Sequence, residues 1–90
     1  MKWLEIIEIR TTGKNREEVE AHFQKLMFVI NREKKLQVKV YTHLNLDTDI
    51  SIHIIHISQT IDKSGSSLAL HIRSAMNKYG LINHSIWIEK

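Results

Sequence analysis

The chain has no cysteine, no proline and only three glycines in ninety residues. The first absence excludes disulfides, thiolate metal sites and a cysteine nucleophile, and fits a reducing compartment. The second leaves every candidate helix and strand uninterrupted. The third leaves no glycine-rich dinucleotide loop, and there is no P-loop or nucleophile elbow. Long apolar runs are also missing, so no stretch approaches a membrane span. The opening "MKWLEIIEIRTT" puts Glu5 and Glu8 where a signal peptide needs its apolar region. The expectation is a cytoplasmic protein with no membrane partner.

Charge of one sign is not concentrated either. The formal net charge is +3, and the cations are scattered; only "REKK" (Arg32 to Lys35) forms a run, and it contains Glu33. A solvated surface explains this more simply than a nucleic-acid partner. Close to half the residues are apolar and about a quarter are charged, as in ordinary globular domains. Ninety residues are enough for one domain with a modest core, spanning 1–90.

What is present is periodicity. "KWLEIIEIRTT" (2–12) is β-rich. "TGKN" breaks it, with Asn15 and Glu18 spaced as a capping box. Val19, Phe23, Leu26 and Ile30 then share one helical face up to about Arg32, and Lys34 and Lys35 follow where a helix C-terminus favours cations. "LQVKVYTHLNL" (36–46) alternates as a half-buried strand. "DTD" (47–49) makes a tight turn into "ISIHIIHISQT". After the "DKSGSS" loop, Leu68, Ile72, Ala75, Met76 and Tyr79 form a second helical face. Gly80 falls where a helix end takes a left-handed residue. "LINHSIWIEK" closes the chain as a fourth strand.

The order is β-α-β-β-α-β, which predicts a ferredoxin-like α+β domain. It has a four-stranded antiparallel sheet in the order four, one, three, two, with both helices on one face. The third strand is unusual: Ile50, Ile52 and Ile54 keep one parity, then Ile55 and Ile57 take the other. A β-bulge at Ile54–Ile55 would explain the change and would put His53 and His56 on one face. Without it, the strand is apolar on both sides. Its second face is then bare in a single copy, and a second copy packed sheet against sheet would cover it. Pairing Trp3 with Trp87 would put Leu4, Ile6, His84, Ile86 and Ile88 under the helices. It would place Trp3, Glu5, Ile7, Ile9, Asn83, Ser85 and Trp87 on the second face, joined by Tyr41 and His43.

That half-polar face is the candidate site. Trp3, Trp87 and Tyr41 can stack a planar ligand, although large aromatics at an interface are more often packing anchors. Glu5, if buried near His43 or Tyr41, can act as a general base; the plainer reading is a surface acid. Asn83 would add a polar contact. His71, on the flank of the second helix, can carry a proton in a cavity between helix and sheet, though a boundary histidine is commoner. His43, His53 and His56 can be drawn as a metal cluster, but they lack an adjacent carboxylate, and structural histidines are the simpler reading. No metal and no organic cofactor is expected. His84, among isoleucines, reads as a hydrogen-bonded core histidine.

The whole chain, by its length, its βαββαβ order and the hairpin "VKVYTHLNLDTDISIHIIHISQT", resembles the dimeric α/β-barrel superfamily, particularly its antibiotic biosynthesis monooxygenase-like branch. The resemblance implies a homodimer closed through the sheet face. Members of that branch often carry a Trp near the end of the third strand, and some carry a His in the second helix. This chain has "HISQT" at the first place and His71 at the second. Two functions follow as expectations. One is a small-molecule-binding protein with a half-polar pocket. The other is a cofactor-independent oxygenase- or isomerase-like enzyme using His71, or Glu5 with His43, for proton transfer.

Overall fold

A computed structural model describes residues 1–11, 16–33, 37–46 and 48–90, with side chains of 29–33 left aside. The elements run β1 (Lys2–Thr11), α1 (Arg16–Glu33), β2 (Gln37–Thr42), β3 (Asp49–Ile57), α2 (Ser67–Met76), a 3-10 turn (Asn77–Tyr79) and β4 (Gly80–Ile88). The strands form one antiparallel sheet in the order β2-β3-β1-β4, as the ferredoxin-like plan requires. The proposed caps at Asn15, Lys34 and Lys35, the side chain of Ile30, and Asp47 of the turn lie outside the described residues.

Both helices cover one face. Val19 and Phe23 of α1 and Ala69, Ile72 and Met76 of α2 pack with Ile7, Ile9, Val38, Ile50, Ile52 and Ile54 of the sheet. Each fully buried Ile or Met contributes roughly 1.5–3 kcal/mol relative to exposure, so this face carries the stability of the fold. α2 starts because Ser66 is extended and its Oγ accepts the N–H of Ala69, the N-cap geometry. β2 is shorter than its alternating sequence implied. It stops at Thr42, and His43 then caps the hairpin turn, its Nδ1 accepting the N–H groups of Asn45 and Leu46.

Three expectations change. First, β3 has no bulge. Its pairing with β1 runs unbroken through Trp3–His56, Leu4–Ile55, Glu5–Ile54 and Ile6–His53. His53 and His56 therefore face opposite sides, and the strand is apolar on both. Second, Trp3 pairs with Ile88, and Trp87 pairs with Leu4. A one-residue slip reverses the faces of a strand. Trp3, Glu5, Ile7 and Ile9 are therefore buried under the helices, while Leu4, Ile6 and Glu8 look out. Third, Gly80 is extended, not left-handed. Its need for glycine is closeness: a Cβ there would run into the Arg10 carbonyl oxygen of β1.

Candidate functional site

Among the described residues, the bare face of the sheet shows two hollows. One, of about 400 Å³, lies at the end of the sheet where β2 and β3 meet their hairpin, and is lined by Glu8, Arg10, Tyr41, His43, Asp49 and Asn83 among others. Its polar wall is held by Arg10, whose Nε and Nη2 donate to the two carboxylate oxygens of Asp49 at 3.2 and 3.4 Å. That hydrogen bond, with those from Thr48 and the charge of Arg10, holds the Asp49 carboxyl below its ordinary value, against a smaller opposing effect of burial. The other hollow, of about 270 Å³, is lined by Lys2, Leu4, Lys39, Tyr41, His53, Ile55 and Trp87 among others. There the Tyr41 ring lies against His53 with centroids 4.6 Å apart. The Trp87 indole donates to Ser85 Oγ at 2.9 Å, which fixes the ring's edge.

The expected single pocket is therefore divided. Tyr41, His43 and Asn83 share the first hollow, and Tyr41 and Trp87 share the second. Glu5 and the Trp3 side chain are on the other side of the sheet, because of the register slip. Trp3 is buried and stacks on His56 at 4.0 Å, and its indole N–H donates to Ser58 Oγ. Glu5 is separated from His43, which is exposed at the end of β2. His71 is exposed on the outside of α2 and does not reach between helix and sheet.

The helix side holds a cluster that the sequence reading did not assemble. Glu5 is completely buried. Its Oε1 accepts the Ser66 N–H at 2.6 Å and its Oε2 accepts the Ser66 hydroxyl at 2.8 Å. The carboxylate thus docks at the N-terminus of α2, where the helix dipole favours an anion. His56 Nε2 stands 3.6 Å and His84 Nε2 4.0 Å from the same Oε2. Among the described residues neither nitrogen has a hydrogen-bond partner, and both are shielded from solvent. Gly65, at φ 102°, lies so close that a Cβ would come within 2.5 Å of His84 Cε1. The signal in the sequence was the parity of β1: Trp3, Glu5, Ile7 and Ile9 form a consistent buried set once Glu5 is granted a partner. The two histidines come from strands on opposite sides of β1, His56 opposite Trp3 and His84 opposite Ile7. Glu5 therefore sits between them, and no three such side chains among the described residues form a metal-holding group.

Among the described residues, no helix is long and apolar enough to cross a membrane. Neither a protein-family profile nor a curated protein sequence matches the chain. Solved structures do. Rv0793 from Mycobacterium tuberculosis superposes over 100% of this chain and 96% of its own, with a TM-score of 0.76 at 10% identity. A Nitrosomonas europaea protein proposed to be an antibiotic biosynthesis monooxygenase gives 0.75 at 10% identity, covering 98% of this chain and 89% of its own. SnoaB, a cofactor-independent oxygenase from Streptomyces nogalater, gives 0.69 at 10% identity over 99% and 93%. The fold is antibiotic biosynthesis monooxygenase-like; likeness at this identity speaks for fold alone.

Proposed function

We propose that this chain is a small-molecule-binding protein that works as a homodimer, two copies closing their bare sheet faces into a barrel around the hollows. The observation that carries this reading is the coincidence of both hollows with the apolar residues of one uncovered face. Leu4, Ile6 and Ile55 are half-buried there in a single copy, while Ile57 is 81% and Trp87 59% exposed. An apolar patch rimmed by polar groups marks a binding or assembly surface. Enclosure by a second copy would turn shallow hollows into a pocket with aromatic walls at Tyr41 and Trp87 and polar contacts at His43 and Asn83.

Cofactor-independent oxygenase chemistry is the second reading, favoured by the likeness of fold to SnoaB, a cofactor-independent oxygenase. The groups expected to move its protons stand apart, however: Glu5 is buried on one side of the sheet, and His43 and His71 are exposed elsewhere.

Native mass spectrometry tests the main reading. The expected result is a dimer that retains a small organic molecule, converted to monomer by Ile55→Asp and losing its ligand on Tyr41→Ala. Because Trp3 is sealed in the core, ligand quenching of fluorescence should come from Trp87 and vanish in Trp87→Phe. A wild-type chain that stays monomeric at micromolar concentration overturns the barrel. A dimer that neither retains nor binds a planar compound overturns the pocket.

A further inference from the structure

We propose that Glu5, His56 and His84 form one proton-sharing acid–base site under the helices, distinct from the hollows of the bare face. The geometry carries it. Two imidazole nitrogens, each screened from water and each without a hydrogen-bond partner, converge on a single carboxylate oxygen. A buried polar atom left without a partner costs free energy that a fold ordinarily avoids. Here two are left, and both point at the same acceptor.

The charges of the site follow from its members. With Glu5 ionised and both imidazoles neutral, the cluster carries one negative charge, offset by the Ser66 N–H and hydroxyl and the N-terminus of α2. One added proton makes the cluster neutral, whichever nitrogen holds it. A second proton would make it positive in a dry setting. The two histidines therefore compete for one carboxylate, and loading one weakens the hold on the next. Transfer between them moves no electrons. A proton leaves His56 Nε2 for Glu5 Oε2, and the carboxyl proton then passes to His84 Nε2. Side-chain rotation must first close the separations of 3.6 and 4.0 Å to hydrogen-bond length.

The loop that brings Gly65 against His84 also carries Asp62 and Lys63, both exposed. From α2 come the Ser66 groups, and its first turn has no acidic residue. His22 of α1 turns instead to the Tyr79 hydroxyl, 3.4 Å away. Among the described residues, no ion pair other than those with His56 and His84 reaches Glu5. On the far side of His56, the Trp3 ring stacks at an interplanar angle of 15° and excludes water from that flank. The site is thus a closed triad, and it would serve a ligand-binding protein as a pH-responsive tie between β1 and α2.

The test is a titration of the intact protein, labelled with ¹⁵N at histidine, following the imidazole nitrogens by NMR. The His56 and His84 curves should each show two steps that fall at the same two pH values, the mark of shared protons. In His84→Asn the His56 curve should collapse to a single step at a displaced midpoint, as expected for strongly interacting sites. Glu5→Gln, which keeps the shape of the side chain, should remove the coupling. The wild-type curves need no variant: single steps at unrelated pH values for His56 and His84 overturn the proposal, as does a His56 curve unmoved in folded His84→Asn.

Discussion

On β3, Ile54 has no exposed surface, and three residues later Ile57 keeps 81% of its own. Both belong to one regular strand, and both are isoleucine. The difference is which face each parity presents. The helix side is the better covered: its central apolar residues are buried, only Val40 and Ile88 of the edge strands staying partly open, and Glu5 is met by two hydrogen bonds. The bare side is unfinished. Its charges, such as Arg10 and Asp49, pair at the solvent edge, and its apolar residues at Ile57, Leu81 and Trp87 have no cover in one copy. A strand that is apolar on both sides thus serves folding with one parity and leaves the other for recognition.

The sharpest way to break that comparison is to shorten the same residue on both faces. Ile54→Ala should destabilise by about 3 kcal/mol, the cost of a cavity in a sealed core. Ile57→Ala in dilute protein should change stability by no more than about 0.5 kcal/mol. Urea denaturation measures both. Equal losses would mean that the bare face is already covered at low concentration.

Glutamate offers the next contrast, since β1 carries one on each face. Glu5→Ala would leave the Ser66 N–H and hydroxyl buried without their acceptor, and should destabilise by roughly 2 kcal/mol. Glu5→Gln should cost less, since one amide oxygen still accepts. Glu8, exposed on the bare side, should tolerate alanine within about 0.5 kcal/mol. Thermal melts at one pH give the order. Amide exchange adds a local readout: Ser66 N–H should exchange faster in Glu5→Ala.

These two contrasts also mark how far the sequence could be read. Element order, sheet order and the faces of β2 and both helices follow from periodicity, because each has one parity or one stripe that is plainly apolar; on β3, apolar on both parities, the run Ile50, Ile52 and Ile54 still marked the inner one. The inward place of His84 among isoleucines was legible from its strand's alternation, but the hydrogen bond expected of it was not found: its Nε2 has no partner among the described residues. β1 was not legible. "WLEIIEI" is apolar on both parities, and the parity that is buried contains Glu5. A carboxylate argues against a dry face until its partner is known, and that partner, Ser66, lies 61 residues along the chain. The register of β1 with β4 has no hairpin turn to set it, so a slip of one residue leaves no trace in the pattern. That slip moved Trp3 and Glu5 away from Tyr41, His43 and Trp87, and it hid the meeting of Glu5 with His56 and His84. His71 fell on the boundary of its helical stripe, where periodicity alone does not decide exposure. Gly80 was legible as a constrained position, but its constraint is contact with β1 and not a left-handed turn.

The smallest effect belongs to the rim of the bare face, where Arg10 and Asp49 pair across β1 and β3. The hydrogen bond from Arg10, the largest cause, holds the Asp49 carboxyl below its ordinary value of 3.8. A carboxyl depressed in the folded chain contributes stability that is present above its unfolded value and is lost as pH falls through its folded value. Asp49→Asn should therefore be slightly less stable than wild type near neutral pH, and the gap should close as acid takes the solution below the ordinary 3.8. Salt should narrow the gap as well, since the Arg10 guanidinium is well exposed and its attraction is screened. The corresponding change on the helix side, Glu5→Gln, should hardly respond to salt, because the carboxylate has no exposed surface. Melting temperatures of the two variants and wild type, taken across pH at low and high salt, separate the cases. An Asp49→Asn gap that ignores salt, or one that widens in acid, would place the pair in a drier setting than an open rim and erase the distinction between the two faces.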